Sequence, residues 1–490
     1  MLRCLVLFSL SGSSPAIYPH PGQAGSPERR LVTVNVLVSD QEGHAVAGLD
    51  RSDFSLQDNG EQRTISMFKA FRPPQKLLRK RADGGYWISN RPNIENGASR
   101  PATVILLDMQ NTGPQYQPWS ISQIARVASL LGPEEQIAVY QLRQEGLFLL
   151  HEFTGNHEHL LAAIAPDAMI RDANADKWRF DSKRIRTLPA SPPADGVVYE
   201  TLERLACQMS RYPGRKNLFW VSADFPSLFL PSKTTSIAPA AKAAARALEA
   251  SGVAVFPVDV RSPVPPMPFQ PVPPVSGTTV TAGAANGRDF VRSMNAIADG
   301  TGGATIVNRP QLAEAIVDTM RATQRSYELG FEVPADQLDG RYHSLRVQLR
   351  RRGSTLVFNH GYFAQAVRPC SPDTLFDNTD IGISVRVSPK PGDVRLLLQI
   401  QLFGAGAEGG FANSPRAQWQ VSVTDADTGA VLAGKTGDAL QIDVPVTIPA
   451  DSRRLRASVR EEASGRMGTV TLPLDVVTRA QIGPAHATSH

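Results

Sequence analysis

Residues 31 to 72 alternate apolar and polar positions with few breaks: LVTVNVLVSD, then QEGHAVAGLD, then SDFSLQDNGEQRTISMF. A period of two sets alternate side chains on one face and predicts β-strands, punctuated here by Asp-x-x-Gly and Asp-Asn-Gly turns. Two or three strands cannot form a stable core alone, so partners are expected elsewhere in the chain. From Lys76 to Arg100 the sequence is basic, rich in Gly and Asn and aperiodic, which reads as a linker or long loop.

Residues 101 to 325 change period. ATVILLD, QIAVYQL, NLFWVSA and VAVFPVDV are unbroken apolar runs, expected of strands buried on both faces. Between them lie helical patterns: SQIARVASLL stopping at Gly132-Pro133, VVYETLERLACQMSRYPG, AAKAAARALEASG, FVRSMNAIADGTGG and LAEAIVDTMRATQRS. GLFLLHEFT predicts an edge hairpin and ATIVN a short strand. Apolar strands alternating with helices predict a parallel, doubly wound α/β sheet. Two inserts interrupt it, a polar one at 166–194 and a proline-rich one at 262–288. The latter reads as an exposed loop, with a polyproline ligand for an aromatic groove as the alternative.

After the last helix the period of two returns in YELGFEVP, YHSLRVQLR and STLVFNHGYFA. These strands can complete the first segment, so residues 31–72 with 326–365 are expected to form one β-sandwich, into which the α/β unit 101–325 is inserted. From residue 371 to 477 five further strand-rich segments with Gly-rich turns predict a C-terminal β-sandwich. Residues 478–490 read as a tail and 1–30 as a signal peptide or disordered N-terminus. MLRCLVLFSLSGSSPA has the basic, apolar, then small-residue order of an export signal.

Composition changes this picture little. With 490 residues the chain has room for roughly three domains. Its formal charge of +5 is spread along its length, so nucleic acid is not an expected partner. The clusters at Lys76–Arg81 and Leu349–Gly353 read as a solvated loop and a strand edge guarded by charge. Cys4, Cys207 and Cys370 lie too far apart for a zinc spacing or a disulfide framework, and Cys207 falls in an apolar helical pattern. No stretch reaches the about 20 apolar residues of a membrane span.

Chemistry concentrates where ATVILLD runs into an acid. In an open parallel sheet ligands sit beyond the carboxyl ends of the strands, which places Asp108 in the ligand crevice. Gln110 and Thr112 follow at alternate positions. Asp224 follows the strand NLFWVSA, and Asp259 ends the next. Asp108, Gln110, Thr112 and Asp224 together offer oxygen ligands for a hard cation such as Mg2+ or Ca2+. The competing reading is that Asp108 and Asn111-Thr112 cap the following turn or helix.

The motifs LLDxxNT, PGRKxLxWxS followed by FP, ALxxSGVxVFxVD, IAxxTGG and YxLGF…GYFA resemble the VWFA-related domain family known mostly from acidobacteria, akin to von Willebrand factor type A domains. The resemblance covers about residues 31–365. It implies adhesion, with a protein or matrix ligand held at the top face of the α/β domain, in a secreted or envelope-associated protein. Metal-binding members of the superfamily carry Asp-x-Ser-x-Ser, a distant Thr and a Thr-Asp-Gly turn. Here Asp108 keeps the first place, Gln110 replaces the first serine and Thr112 the second. Asp195-Gly196 stand where the distant threonine falls. Ser222-Ala223-Asp224 replace the turn, with the acid displaced by one. The site is therefore a degenerate one.

No Gly-x-Ser-x-Gly, Walker loop or His-Glu-x-x-His occurs, and no enzyme is expected. The glycine-rich tract Asp299 to Thr305 lies between helix and strand, the wrong order for a phosphate cradle, and reads as a helix C-cap. The alternatives are a metal-dependent hydrolase using His151, His157 and His159, the last two spaced for one side of a strand, and a structural envelope protein that binds polysaccharide through its C-terminal unit.

Overall fold

The computed structural model describes residues 29–473 with breaks, the longest at 72–85, 227–238, 262–286, 366–376 and 402–417. The export-signal reading, Lys76–Arg81, the proline-rich insert, Cys4 and Cys370 lie outside the described residues.

The unbroken apolar runs form one five-stranded sheet. Its order is Gly146–Thr154, Ile137–Arg143, Ala102–Asp108, Lys216–Ser222 and Val253–Asp259. The last four strands are mutually parallel, and Gly146–Thr154 is an antiparallel edge. Successive residues of each strand serve opposite faces. Ile105 and Leu107 pack with Phe219, Phe256 and the helices Gln117–Leu130, His157–Ile164 and Leu312–Thr323. Val104 and Leu106 pack with Trp220, Val255 and the helices Asp195–Ser210, Pro239–Ala250 and Gly287–Thr301. Burial on both faces is why these strands read as runs and not as alternation. The segment ATIVN contributes only a single parallel bridge, Val258 to Ile306.

The strand order places a topological switch at the centre. From Ala102–Asp108 the chain crosses to Ile137–Arg143 on one side, then returns to Lys216–Ser222 on the other. The chain therefore leaves the two central strands, after Asp108 and after Ser222, in opposite directions along the sheet, the arrangement beside which open α/β sheets form their ligand crevice.

The flanking segments pair with each other. Arg29–Ser39 runs antiparallel to Ser326–Pro334 through eight residue pairs, with Met67–Phe71 and Thr355–Val357 completing a four-stranded sheet. A second four-stranded sheet orders Gly361–Phe363, Tyr342–Leu349, Phe54–Asp58 and Glu61–Arg63. Both contribute to one apolar cluster that includes Val34, Leu56, Leu329 and Val347. Arg350 and Arg351 follow directly on the strand Tyr342–Leu349, and Arg350 N–H donates to the Asp53 carbonyl. C-terminal strands form two more antiparallel sheets around Trp419, Leu396 and Val459.

Three elements differ from the sequence expectation. Within the supposed linker 76–100, Tyr86–Ser89 is an edge strand of a C-terminal sheet, paired with Gly382–Lys390, and Ile94–Glu95 pairs with Ala98–Ser99. Asn90 fixes the former, donating to the carbonyls of Asn378 and Ile381 and accepting from Ile383 N–H. The polar insert 166–194 contains a hairpin, Met169–Asp172 with Lys177–Phe180. His157 and His159 lie on the helix His157–Ile164, not on a strand.

Candidate functional site

Asp108 is the last residue of its strand and is fully buried. Its Oδ1 accepts from Asn111 N–H at 2.9 Å. Its Oδ2 accepts from Asn111 Nδ2 at 2.8 Å, Trp220 Nε1 at 3.0 Å and Ser222 Oγ at 3.3 Å. Burial pushes the Asp108 carboxyl above its usual range, and the bonds from Asn111, Trp220 and Ser222 pull it back. Trp220 reaches the carboxylate because it belongs to the neighbouring parallel strand, two residues before Ser222.

Thr112 is also buried, and its Oγ1 accepts from Ala223 N–H at 3.2 Å. A second tie therefore spans the two divergent loops. Gln117, at the start of the following helix, donates Nε2 to the Thr112 carbonyl at 2.9 Å, and its Oε1 accepts from Leu188 N–H at 2.7 Å. Gln110 is buried directly beyond the strand end. The structure thus gathers Asp108 and Thr112 at the crevice, with Gln110 buried next to them.

Asp224 is not brought to the Asp108 carboxylate. It is exposed, and its Oδ1 accepts from Phe225 N–H at 2.9 Å. Ser222 takes the inward place, its hydroxyl shared between Asp108 and the Asp224 backbone. Asp259 lies at the end of the next strand and is held by Arg261, through N–H at 2.9 Å and Nε at 3.1 Å. The Arg261 guanidinium lies 3.3 Å from the centroid of the Phe290 ring. Asp195 begins the helix Asp195–Ser210.

Gln117 and Trp220 are not named from the sequence, whereas Asn111 enters there in the competing cap and Ser222 in the displaced turn. Asn111 was legible as an Asx-type partner three residues from Asp108. Trp220 was not, because an apolar strand gives no sign of which neighbour its indole N–H will meet.

These residues do not fit a hard-cation site. Three donors converge on Asp108 Oδ2, where Ser222 shares its one hydroxyl hydrogen with the Asp224 carbonyl, and Asn111 N–H meets Oδ1. One of them, the Trp220 indole, can only donate. Its N–H dipole points at Oδ2 and opposes a cation there. Among the described residues no three His, Cys, Asp or Glu side chains gather to hold a metal.

No family model and no curated protein matches the chain. Among solved structures, an aerotolerance-related membrane protein from Bacteroides fragilis aligns at 12% identity with a TM-score of 0.28, covering 45% of this chain and 98% of that one. The SpRpn10 VWA domain aligns at 13% identity with a TM-score of 0.25, covering 46% and 97%. Likeness at that level carries no argument about function. Among the described residues no helix is long and apolar enough to cross a membrane.

Proposed function

We propose that this chain is a non-enzymatic, extracytoplasmic interaction protein whose α/β unit engages a protein or matrix ligand at the carboxyl rim of its parallel sheet. The observation that carries the reading is the topological switch between Ala102–Asp108 and Lys216–Ser222. In open α/β sheets this crevice is where ligands sit, and here its walls are two loops fastened to each other. The rim presents exposed Gln115 and Asp224 above a buried polar floor. Its resemblance in motif to VWFA-related domains supports adhesion as the use of that rim. Both flanking sheets and the C-terminal sheets then serve as a sandwich base and a second sandwich that carry the rim.

The test is affinity capture from native envelope extract with the full chain as bait, comparing wild type with Asp224→Arg. Reversing one exposed rim charge should abolish capture of a specific partner while leaving the melting temperature unchanged. Equal capture by both baits, or by a bait lacking the α/β unit's native melting transition, would reject the rim as the binding face.

A further inference from the structure

We propose that the Asp108 carboxylate is itself the clamp that organises this rim, so that the binding face is preformed and independent of divalent cations. The resemblance places a metal between these loops. In this chain the same span is crossed by protein donors instead.

Three connections make the clamp. Asp108 draws Asn111 inward from its own loop and accepts from Trp220 and Ser222 of the adjacent strand. Thr112 reaches the other loop directly through Ala223 N–H. Trp220 is further fixed by an edge-on contact with Phe225 at 5.0 Å, and Phe225 by Phe290 at 5.5 Å. The 109–117 loop and the 222–226 turn therefore share one hydrogen-bonded node, and buried bonds within one network reinforce each other.

The neighbouring acids do not restore a metal set. Asp259 is paired with Arg261. Asp224 stands outside, bonded to its own turn. A cation taking Oδ2 would displace the Trp220 indole from Asp108 and leave that donor buried without an acceptor. Asp108 acts through the loops it holds and is a positioning residue. This holds whether or not the rim engages a partner, and its test uses the free chain.

The experiment has two readouts. The first is thermal melting of the full chain in Mg2+, Ca2+ or Mn2+ against EDTA. An ion present at about 100 times its Kd, binding only the folded form, would raise the midpoint by several degrees. No rise is expected in wild type. The second is amide exchange at Asn111 and Ala223 in Ser222→Ala and Trp220→Phe, with the Leu398 amide of a C-terminal sheet as a core reference. Exchange at both rim amides should accelerate by about tenfold or more, with the core amide unchanged and Mg2+ giving no protection. A rise in the wild-type midpoint that Asp108→Asn abolishes would overturn the proposal. So would unchanged exchange at Asn111 and Ala223 in both variants.

Discussion

Asp58, Asp108 and Asp377 are each buried, one in each part of the molecule, and each is surrounded by donors. Asp58 accepts from Arg63 Nη2 at 3.0 Å and Tyr362 OH at 3.0 Å, with His343 Nδ1 also at 3.0 Å. Asp377 accepts from the hydroxyls of Thr469 and Thr471 at 3.0 and 2.9 Å and from Thr471 N–H at 2.7 Å. A carboxylate removed from water is tolerable only when so engaged. Its presence also marks the groups around it: burial, and then the nearby Asp58 charge, push the Tyr362 phenol well above its usual range. None of this was legible in the sequence. Asp58 precedes Asn59-Gly60 and reads as a hairpin turn, just as Asp108 reads as a cap. An aspartate serving a turn and one serving a buried node look alike locally, and Tyr362 lies 304 residues away from Asp58. Asp58→Asn tests the node. The amide NH2 confronts Arg63 or Tyr362 with a second donor and leaves Arg63 only Glu61 and Gln337, so a loss of about 2 kcal/mol is expected. Urea unfolding of the full chain measures it, and a midpoint equal to wild type would show that the node contributes nothing.

At the level of elements, the sequence disclosed most where burial is two-sided. The runs ATVILLD, QIAVYQL, NLFWVSA and VAVFPVDV all became strands of one sheet, because a strand covered on both faces has no polar side to obscure it. Short elements paired at a distance escaped. Tyr86–Ser89 has four residues and takes its order from Gly382–Lys390, nearly 300 positions later, so local propensity could not announce it. The helix His157–Ile164 was announced by Leu160, Leu161 and Ile164, which recur at helical spacing and are all buried, but the histidines beside them drew a strand reading. The glycine stop after Gly287–Thr301 was legible, and the structure adds its reason. Gly302 takes φ +78°, and both it and Gly303 return their N–H to Ala298. A Cβ on Gly303 would stand 1.8 Å from the Val255 carbonyl oxygen, a backbone atom of the adjacent strand. Gly303→Ala must therefore move either the strand or the turn, and a loss of about 3 kcal/mol or more is expected. Gly196→Ala is the matched control. It lies in a helix with nothing within 4 Å of the added carbon, and helix propensity predicts a gain of up to about 1 kcal/mol. Melting curves of the two variants should move in opposite directions, and a parallel shift would refute the packing argument.

Across the whole molecule the units are interleaved and not strung in series. The chain builds half of the flanking sheets, places Tyr86–Ser89 in a C-terminal sheet, forms the α/β unit, and returns to complete the flank. Ties cross between units: Gln208 Nε2 to the Asp377 carbonyl at 3.1 Å, and His360 N–H to the Asp299 carbonyl at 3.0 Å. Arg30 in the first flank strand meets Glu249 at the end of the helix Pro239–Ala250 at 3.1 Å, with side chains only 9% and 5% exposed. Arg30 also donates to the carbonyls of Phe363 and Gln365, and Glu249 accepts from Phe363 N–H. Burial raises the Glu249 carboxyl to about 7, with Arg30 offsetting only part of the desolvation. Its unfolded value is near 4.5, so between 4.5 and 7 the folded chain holds a proton that the unfolded chain has released. Stability from this group is therefore fully present at acid pH, falls as pH rises through that window, and is level above it. Glu249→Gln has no such proton to lose. Its stability relative to wild type, followed by melting, should improve as pH is raised from about 5 to 8, by at most about 3 kcal/mol. A gap that stays constant across that range would mean that Glu249 is ionised throughout, and that the Arg30 pair outweighs the cost of burying it.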